Sequence, residues 1–509
     1  MKKIIEEYKK EINGFVTNPK YIIPIIFIAI LSYGFAVTHY AIGVDDLCFD
    51  RYVSGTYILS AKRWGTWLLY NILNITEFSP FWLEFIVSTF MVIIAIILCA
   101  FLNKNLKDKI SVWGYVVFSA IFISNPIINH FFMYQSTNLS IVTSNLMVIF
   151  SVILIMENYF NDRKRNVYII SSILLVISIS MYESCVQTYL VLLFVSVFIK
   201  IINKEEKNLF KYVCTGFACL IIGVLGYWVT GKITLFILEV LGLKEKNFAL
   251  SEILWTKKKF WNLSNYSKIR NLDRLLFTPL VYDTLHYYPT KILVISSFIV
   301  LIAELIKSYK INKSNRLLVV LAIIFSNFIL IIVQVKLLYR TQFSWILTIA
   351  FFALYIYNKF ANRKVLKYVI NVGFIFLIIC QTRNLNQLFY KDYQRYEKDK
   401  MIANEIAMDI VKDTDYENKK IVYIKELKDT ITTTNIDMKS VIDWGISAFN
   451  EKGTELTKFI NNFGYTFTSV SGQEYKDAKE QYEMLNEETK NKNIIELDNY
   501  IIVNLEKYE

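Results

Sequence analysis

The sequence predicts an all-α polytopic membrane protein of about eleven transmembrane helices, with a small extracytoplasmic α/β domain at its C-terminal end. Three features carry that prediction. Hydrophobic residues make up 54% of the 509 positions and come in uninterrupted runs, close to the ~20 residues that cross a hydrocarbon core of ~30 Å. A soluble chain of this length would instead show periodic apolar stripes. Lys and Arg gather in alternate gaps between the runs. Beyond Asn384 the apolar runs stop and the chain turns acidic, with 17 basic and 24 acidic residues.

The net charge of +12 would suit a nucleic-acid partner, but its distribution does not. The first 383 residues hold 39 basic and 20 acidic side chains, placed at the ends of apolar runs, where they act as topology signals. No nucleic-acid partner is expected. The cysteines (Cys48, Cys99, Cys185, Cys214, Cys219 and Cys380) lack metal-ligand spacing and read as core residues. His39, His130 and His286 are scattered and suggest no metal triad.

Taken in order, residues 1–20 (MKKIIEEYKKEINGFVTNPK) are too long and too acidic for the basic start of a signal peptide, and no small-residue cleavage site follows. Residues 21–40 are therefore expected to be a retained first span. The further expected spans are 81–102, 110–125, 138–156, 167–182, 186–202, 212–230, 289–306, 316–335, 341–358 and 366–382. With the N-terminus cytoplasmic, the inner segments carry 23 Lys and Arg and the short outer ones 5. The positive-inside rule then puts the N-terminus in the cytoplasm and the C-terminus outside. Residues 1–20 are thus a cytoplasmic N-terminus, 21–382 the membrane domain and 383–509 an extracytoplasmic soluble domain. The outer loops 41–80 and 231–288 emerge on the same side as that domain. The second is basic and aromatic (LWTKKKFWNLSNYSKIRNLDRLLF), which suits a segment lying along headgroups, with Trp255 and Trp261 as anchors or as part of a substrate clamp. In the tail, a helix from Asn384 precedes strand signals IVYI and NYIIVNL.

Chemistry concentrates just beyond the first span, in VDDLCFDRYVSGTYILSAKRWGTWLLYNIL. A helix over 50–72 places Arg51, Gly55, Lys62 and Thr66 within roughly 60° of one another at ~100° per residue. Val53, Tyr57, Trp64 and Leu68 fall opposite, so the helix is amphipathic and suited to the interface. Arg51, Lys62 and Arg63 suit a lipid phosphate, arginine by forked contacts and lysine as a point charge. The adjacent Asp45 and Asp46 have three readings. One aspartate is a general base for an acceptor hydroxyl while the other orients it or holds a divalent cation, Mg or Mn; or the pair caps the following helix; or it lies in a solvated loop. Glu183 in SMYESCVQTYL, with Gln187 one turn on, is costly against lipid and so is expected to face a polar cavity. Lys336 and Arg340 sit at an outer span end as snorkelling anchors or phosphate ligands. His130 stands at an outer turn within reach of a substrate.

These residues carry a resemblance. An Asp-Asp pair (Asp45, Asp46) after the first span, followed by Arg51, Gly55, Arg63 and Gly65, resembles the GtrII-type serotype-converting glucosyltransferases. YESCVQTYL and the segment from Asn386 (NQLFYKDYQRYEKDKMIANEIAMDI) resemble that family more loosely. The chain departs at Lys62-Arg63-Trp64, where a Gly-Arg-Pro-like step is expected. The resemblance implies a GT-C architecture and a glycosyltransferase that uses a polyprenyl-phosphate sugar, with Asp45 and Asp46 as the catalytic pair and Arg63 as the arginine of the amphipathic helix. The acceptor would be a surface polysaccharide. The Asn-, Lys- and Ile-rich composition suggests an AT-rich, Gram-positive source, for which teichoic acid is the counterpart acceptor. Arg51, Lys62, Arg63 and Arg340 would hold the donor phosphate, and a lipid-sugar synthase and a flippase would work upstream. The alternatives are a transporter or flippase, or a non-catalytic component of a sugar-assembly system. Few spans carry the midplane polar breaks of a transporter.

Overall fold

The computed structural model describes residues 2–43, 46, 56–75, 79–107, 110–162, 164–205, 208–243, 315–329, 339–361, 364–427, 447–450, 453–470 and 472–508, with short pieces between 295 and 303. They fall into two compact units. The first takes residues 1–38, 51–132 and 137–386, and the second 39–50, 133–136 and 387–509. Eight described helices are long and apolar enough to cross a membrane, and Arg165–Met181 is a shorter apolar one. The expected span 289–306 and the loop tryptophans Trp255 and Trp261 lie wholly or largely outside the described residues.

In the first unit, an amphipathic helix α1 (Lys2–Val16) is followed by α2 (Pro19–Thr38), α3 (Thr56–Ser60), α4 (Trp64–Ile72), α5 (Trp82–Asn105), α6 (Val112–Ile123), α7 (Gln135–Glu157), α8 (Arg165–Met181), α9 (Cys185–Ile202), α10 (Leu209–Val240), α11 (Asn315–Ser326) and α12 (Phe343–Phe360). With no hydrophobic drive between helices in lipid, small contacts and polar bonds hold such a bundle, each bond worth about 0.6–2 kcal/mol. Tyr21 Oη on α2 meets Ser119 Oγ on α6 at 2.7 Å, and Cys99 Sγ on α5 lies 3.2 Å from the same hydroxyl. Tyr33 Oη donates to the Ile123 carbonyl at 2.7 Å, and Tyr189 Oη to Gly216 at 2.7 Å. α10 packs along α8 because Gly223 faces Leu175, whose Cβ would lie 2.7 Å from an added methyl. At the far end of the bundle a carboxylate is buried and answered. Glu157 accepts from Tyr8 Oη at 2.9 Å and pairs with Lys104 at 3.0 Å; Lys104 also reaches Glu7 at 2.7 Å. These bonds fasten α1 to α5 and α7.

The structure replaces the expected single helix over 50–72 with two shorter ones. Residues 50–55 lie outside the described residues, and α3 stops at Ser60. Lys62 takes a left-handed conformation (φ 63°), and its N–H and that of Arg63 return to Leu59 and Ile58 at 2.9 and 3.0 Å. That turn ends one helix and re-aims the next. Thr66, expected on a basic face beside Lys62, is instead buried and donates to the Met181 carbonyl at 2.9 Å. Gly65 allows this close approach of α4 to α8: a methyl there would run into Ser180 Oγ and lie 3.0 Å from the Ile177 carbonyl. Gly65→Val is expected to cost about 1–3 kcal/mol by overpacking, read as a lower melting temperature in detergent.

Of the five described cysteines, none is in a disulfide; Cys99, Cys185 and Cys219 are buried as core residues, whereas Cys214 is exposed and Cys380 is half-buried. The expectation of core placement fails for Cys214 because it stands on an outward face of α10.

Helix α13 (Lys364–Asp413) runs unbroken for 50 residues and contributes to both units. At 1.5 Å per residue it is about 75 Å long, more than twice a hydrocarbon core, so only its apolar first part suits a span. In the second unit, β1 (Lys420–Ile424), α14 (Thr454–Asn461), β2 (Thr468–Ser469), α15 (Gly472–Glu483), β3 (Ile494–Glu496) and β4 (Tyr500–Asn504) build a four-stranded sheet of order β2-β1-β4-β3. β1 is parallel to β2 and β4, while β3 is antiparallel to β4. The expected strands IVYI and NYIIVNL are β1 and β4, the central pair, in register from Lys420–Tyr500 to Ile424–Asn504. Both are almost wholly buried, as parallel strands covered on two faces should be.

Candidate functional site

In the first unit the left-handed turn at Lys62 delivers Arg63 to Glu183. Arg63 Nη2 lies 3.0 Å from Glu183 Oε2 and Nε 3.4 Å from Oε1, a forked pair. Tyr227 Oη on α10 donates to Glu183 Oε1 at 3.2 Å, and the guanidinium stands 5.0 Å from the centre of the Tyr182 ring. Both partners are partly shielded, 17% and 15% exposed. The neighbouring Trp64 Nε1 donates to Thr230 Oγ1 at 3.0 Å, so the 62–64 turn is docked along α10. The stem of Lys62 crosses Gly231, where a methyl would meet its Cβ at 3.2 Å. Partial burial and the neighbouring Lys232 hold the Lys62 ammonium below its ordinary pKa, against the pull of Glu183.

Glu183 was expected in a polar cavity with Gln187 beside it. The structure gives Glu183 a cation, Arg63, and a hydroxyl, Tyr227, as partners, and places Gln187 in a different cluster. Gln187 is fully buried, and its Nε2 donates to the Asn327 carbonyl at 2.6 Å; Asn327 Nδ2 donates in turn to Thr348 Oγ1 at 3.1 Å. His130 is buried in a helical turn at 129–132, against which the Tyr339–Thr341 turn packs, so His130 and Arg340 are neighbours. Asp45 and Arg51 lie outside the described residues.

The second unit holds Asp46, which is 5% exposed. Its Oδ1 accepts the backbone N–H of Ser136 at 2.8 Å in the first turn of α7, and its Oδ2 that of Gly43 at 3.2 Å. A carboxylate at a helix N-terminus satisfies unpaired N–H groups and meets the positive end of the helix dipole. The loop is fastened from its other side by a residue that the sequence did not single out. Arg395, 2% exposed, donates from Nη2 to the Ile42 carbonyl at 2.9 Å. It pairs with Asp392 at 3.0 Å and Asp399 at 3.0 Å. Asp399 also accepts from Ser447 Oγ at 2.7 Å and the Ala448 N–H at 3.0 Å. The spacing Asp392-Arg395-Asp399 was a signal for helical ion pairs, but such pairs are ordinarily exposed and nothing local marks this one as buried.

Among the described residues, no group of three or more His, Cys, Asp or Glu is placed to hold a metal ion. The Asp46 oxygens are turned to backbone donors, and Asp392 and Asp399 are answered by Arg395. Asp45, the other aspartate expected to hold a cation, lies outside the described residues.

A set of apolar, membrane-length helices defines a polytopic membrane protein, with a forked Arg63–Glu183 pair in its first unit and, separately, a fixed Asp46 carboxylate in its second. The chain matches the model of the family Glucosyl transferase GtrII over residues 34–357. It belongs to that family and is a glycosyltransferase. The matched stretch contains Asp45, Asp46, Lys62, Arg63, Glu183 and Lys232. No curated protein matches the chain.

Proposed function

We propose that the chain moves a hexose, glucose, from a polyprenyl-phosphate donor to a polysaccharide of the cell surface, teichoic acid included, at the outer face of the plasma membrane. The observation that carries this reading is the Asp46 carboxylate, fixed by two backbone N–H groups beside Asp45 within the family's matched range. Asp45 is the base and Asp46 the residue that holds the loop in place. The acceptor hydroxyl gives its proton to Asp45 as its oxygen attacks the anomeric carbon. The bond from that carbon to the phosphate oxygen breaks, and the phosphate leaves with the electron pair, inverting the centre. General-base help is worth about 10²–10⁴-fold, and neutralising the departing phosphate is the larger task. Lys62, with Arg51 and Arg340, serves that end, and Arg63 shapes the turn that carries Lys62.

The GT-C type, the N-terminus inside and the domain 383–509 outside are part of the same proposal, supported by the 23-to-5 distribution of basic residues. A lipid-sugar synthase and a flippase would supply the donor. The test is sugar analysis of surface glycans from cells with the protein, without it, and with Asp45→Asn. A side-branch hexose present only with the intact protein supports the proposal, and unchanged glycans overturn it.

A further inference from the structure

The turn at Lys62 sets up an excess of positive charge that none of the described residues answers. Among the described residues Glu183 is the one carboxylate paired at this turn, and both its oxygens are engaged by Arg63 and Tyr227. Among the described residues, neither Lys62 nor Lys232 has an ion-pair partner. The two lysines are nevertheless held together. The Lys62 stem lies along Gly231, the residue before Lys232, and the Lys232 ammonium stands 5.8 Å from the centre of the Trp228 ring. Counted over the described residues, three cations and one carboxylate leave a local charge of about +2, and the neighbouring Lys232 acts against the Lys62 ammonium. A left-handed lysine adds to the cost. An arrangement of like charges held in place by Trp64–Thr230 and Arg63–Glu183 on either side suits an anion.

We propose that Lys62 and Lys232 form one seat for the phosphate of the lipid carrier, and that this seat is matched to the leaving group rather than to the donor. The inference rests on the donor class proposed above. A polyprenyl-phosphate hexose is a phosphodiester with a single negative charge. When the anomeric bond breaks, the departing oxygen keeps the electron pair and the carrier becomes a monoester of about −1.5 to −2. A second cation is therefore worth more in the transition state than in the bound donor. It acts on kcat more than on KM.

The test uses purified full-length protein in neutral detergent and farnesyl phosphate as the monoester probe, with farnesol, inorganic phosphate and phosphatidylglycerol as comparisons. Wild-type protein should bind farnesyl phosphate well above the other three. Lys232→Gln and Lys62→Gln should each weaken it about 10-fold or more, as expected for a lost charge-assisted bond. Lys232→Arg should retain most binding. The double variant should lose less than the product of the two single losses, because both act on one anion. In transfer assays Lys232→Gln should lower kcat with donor KM changed little. If wild-type protein binds farnesyl phosphate and Lys232→Gln binds it equally well, the seat is overturned while the donor class stands. If inorganic phosphate or phosphatidylglycerol competes as well as farnesyl phosphate, the cluster is a free-phosphate site or a headgroup anchor, and the seat is again overturned. If farnesyl phosphate binds wild-type protein no better than farnesol does, the lipid-phosphate donor itself falls.

Discussion

Arg395→Met should destabilise the second unit by about 3–5 kcal/mol, because it strands Asp392 and Asp399 as buried charges with no cation between them. It also removes the donor to the Ile42 carbonyl, four residues before Asp46. Thermal unfolding in detergent and limited proteolysis of the 387–509 region read the first effect. The second is separated by Asp392→Leu/Arg395→Met/Asp399→Asn. Exchanging a buried ion triad for groups of similar volume is often neutral or stabilising, and Asn at 399 still accepts from Ala448. The triple variant should regain much of the lost stability while sugar transfer stays low, since Ile42 has no donor in either protein. Full recovery of transfer with stability would reduce Arg395 to a folding residue and remove it from the loop that carries the aspartates.

The aspartates divide by the same logic. Asp45→Asn is expected to lower transfer by about 10²–10⁴-fold with the melting temperature unchanged, as for a lost general base. Asp46→Asn should lose stability as well. An amide has one acceptor atom, so either Ser136 or Gly43 would face an NH₂ group, and a buried donor left without its acceptor costs about 1–3 kcal/mol. Melting curves alongside transfer rates settle the assignment. If Asp46→Asn removes transfer without touching stability and Asp45→Asn is tolerated, the base is Asp46.

Eight of the eleven expected spans, as long apolar helices among the described residues, and the central strands were legible because hydropathy and β-branched runs are local signals. So was the polar end of α13, but the change of composition near Arg383 marks where the apolar stretch ends and not where the helix ends. No proline or glycine follows Gly373 in it, so nothing stops the backbone. The break at Lys62 was not legible, since no Gly, Pro or Asn marks it; the docking of Arg63, Trp64 and Gly65 on other helices imposes it. Arg63 and Glu183 were each singled out and yet not as a pair, because they are 120 residues apart and no periodicity connects them. Arg395 was passed over for the related reason that its burial depends on residues around Ile42 and Ser447.

The carboxylate of Glu157 carries a consequence for how the protein is made. Tyr8 and Glu157 are separated by 149 residues, and chains emerge from the ribosome N-terminus first. α1 is therefore synthesised well before its buried partner exists. It can pair with α5 through Glu7 and Lys104 once that helix is in, but Tyr8 and Lys104 lack the Glu157 carboxylate until α7 arrives. The first segment to be translated is thus fully locked only when the fourth long apolar segment has gone in.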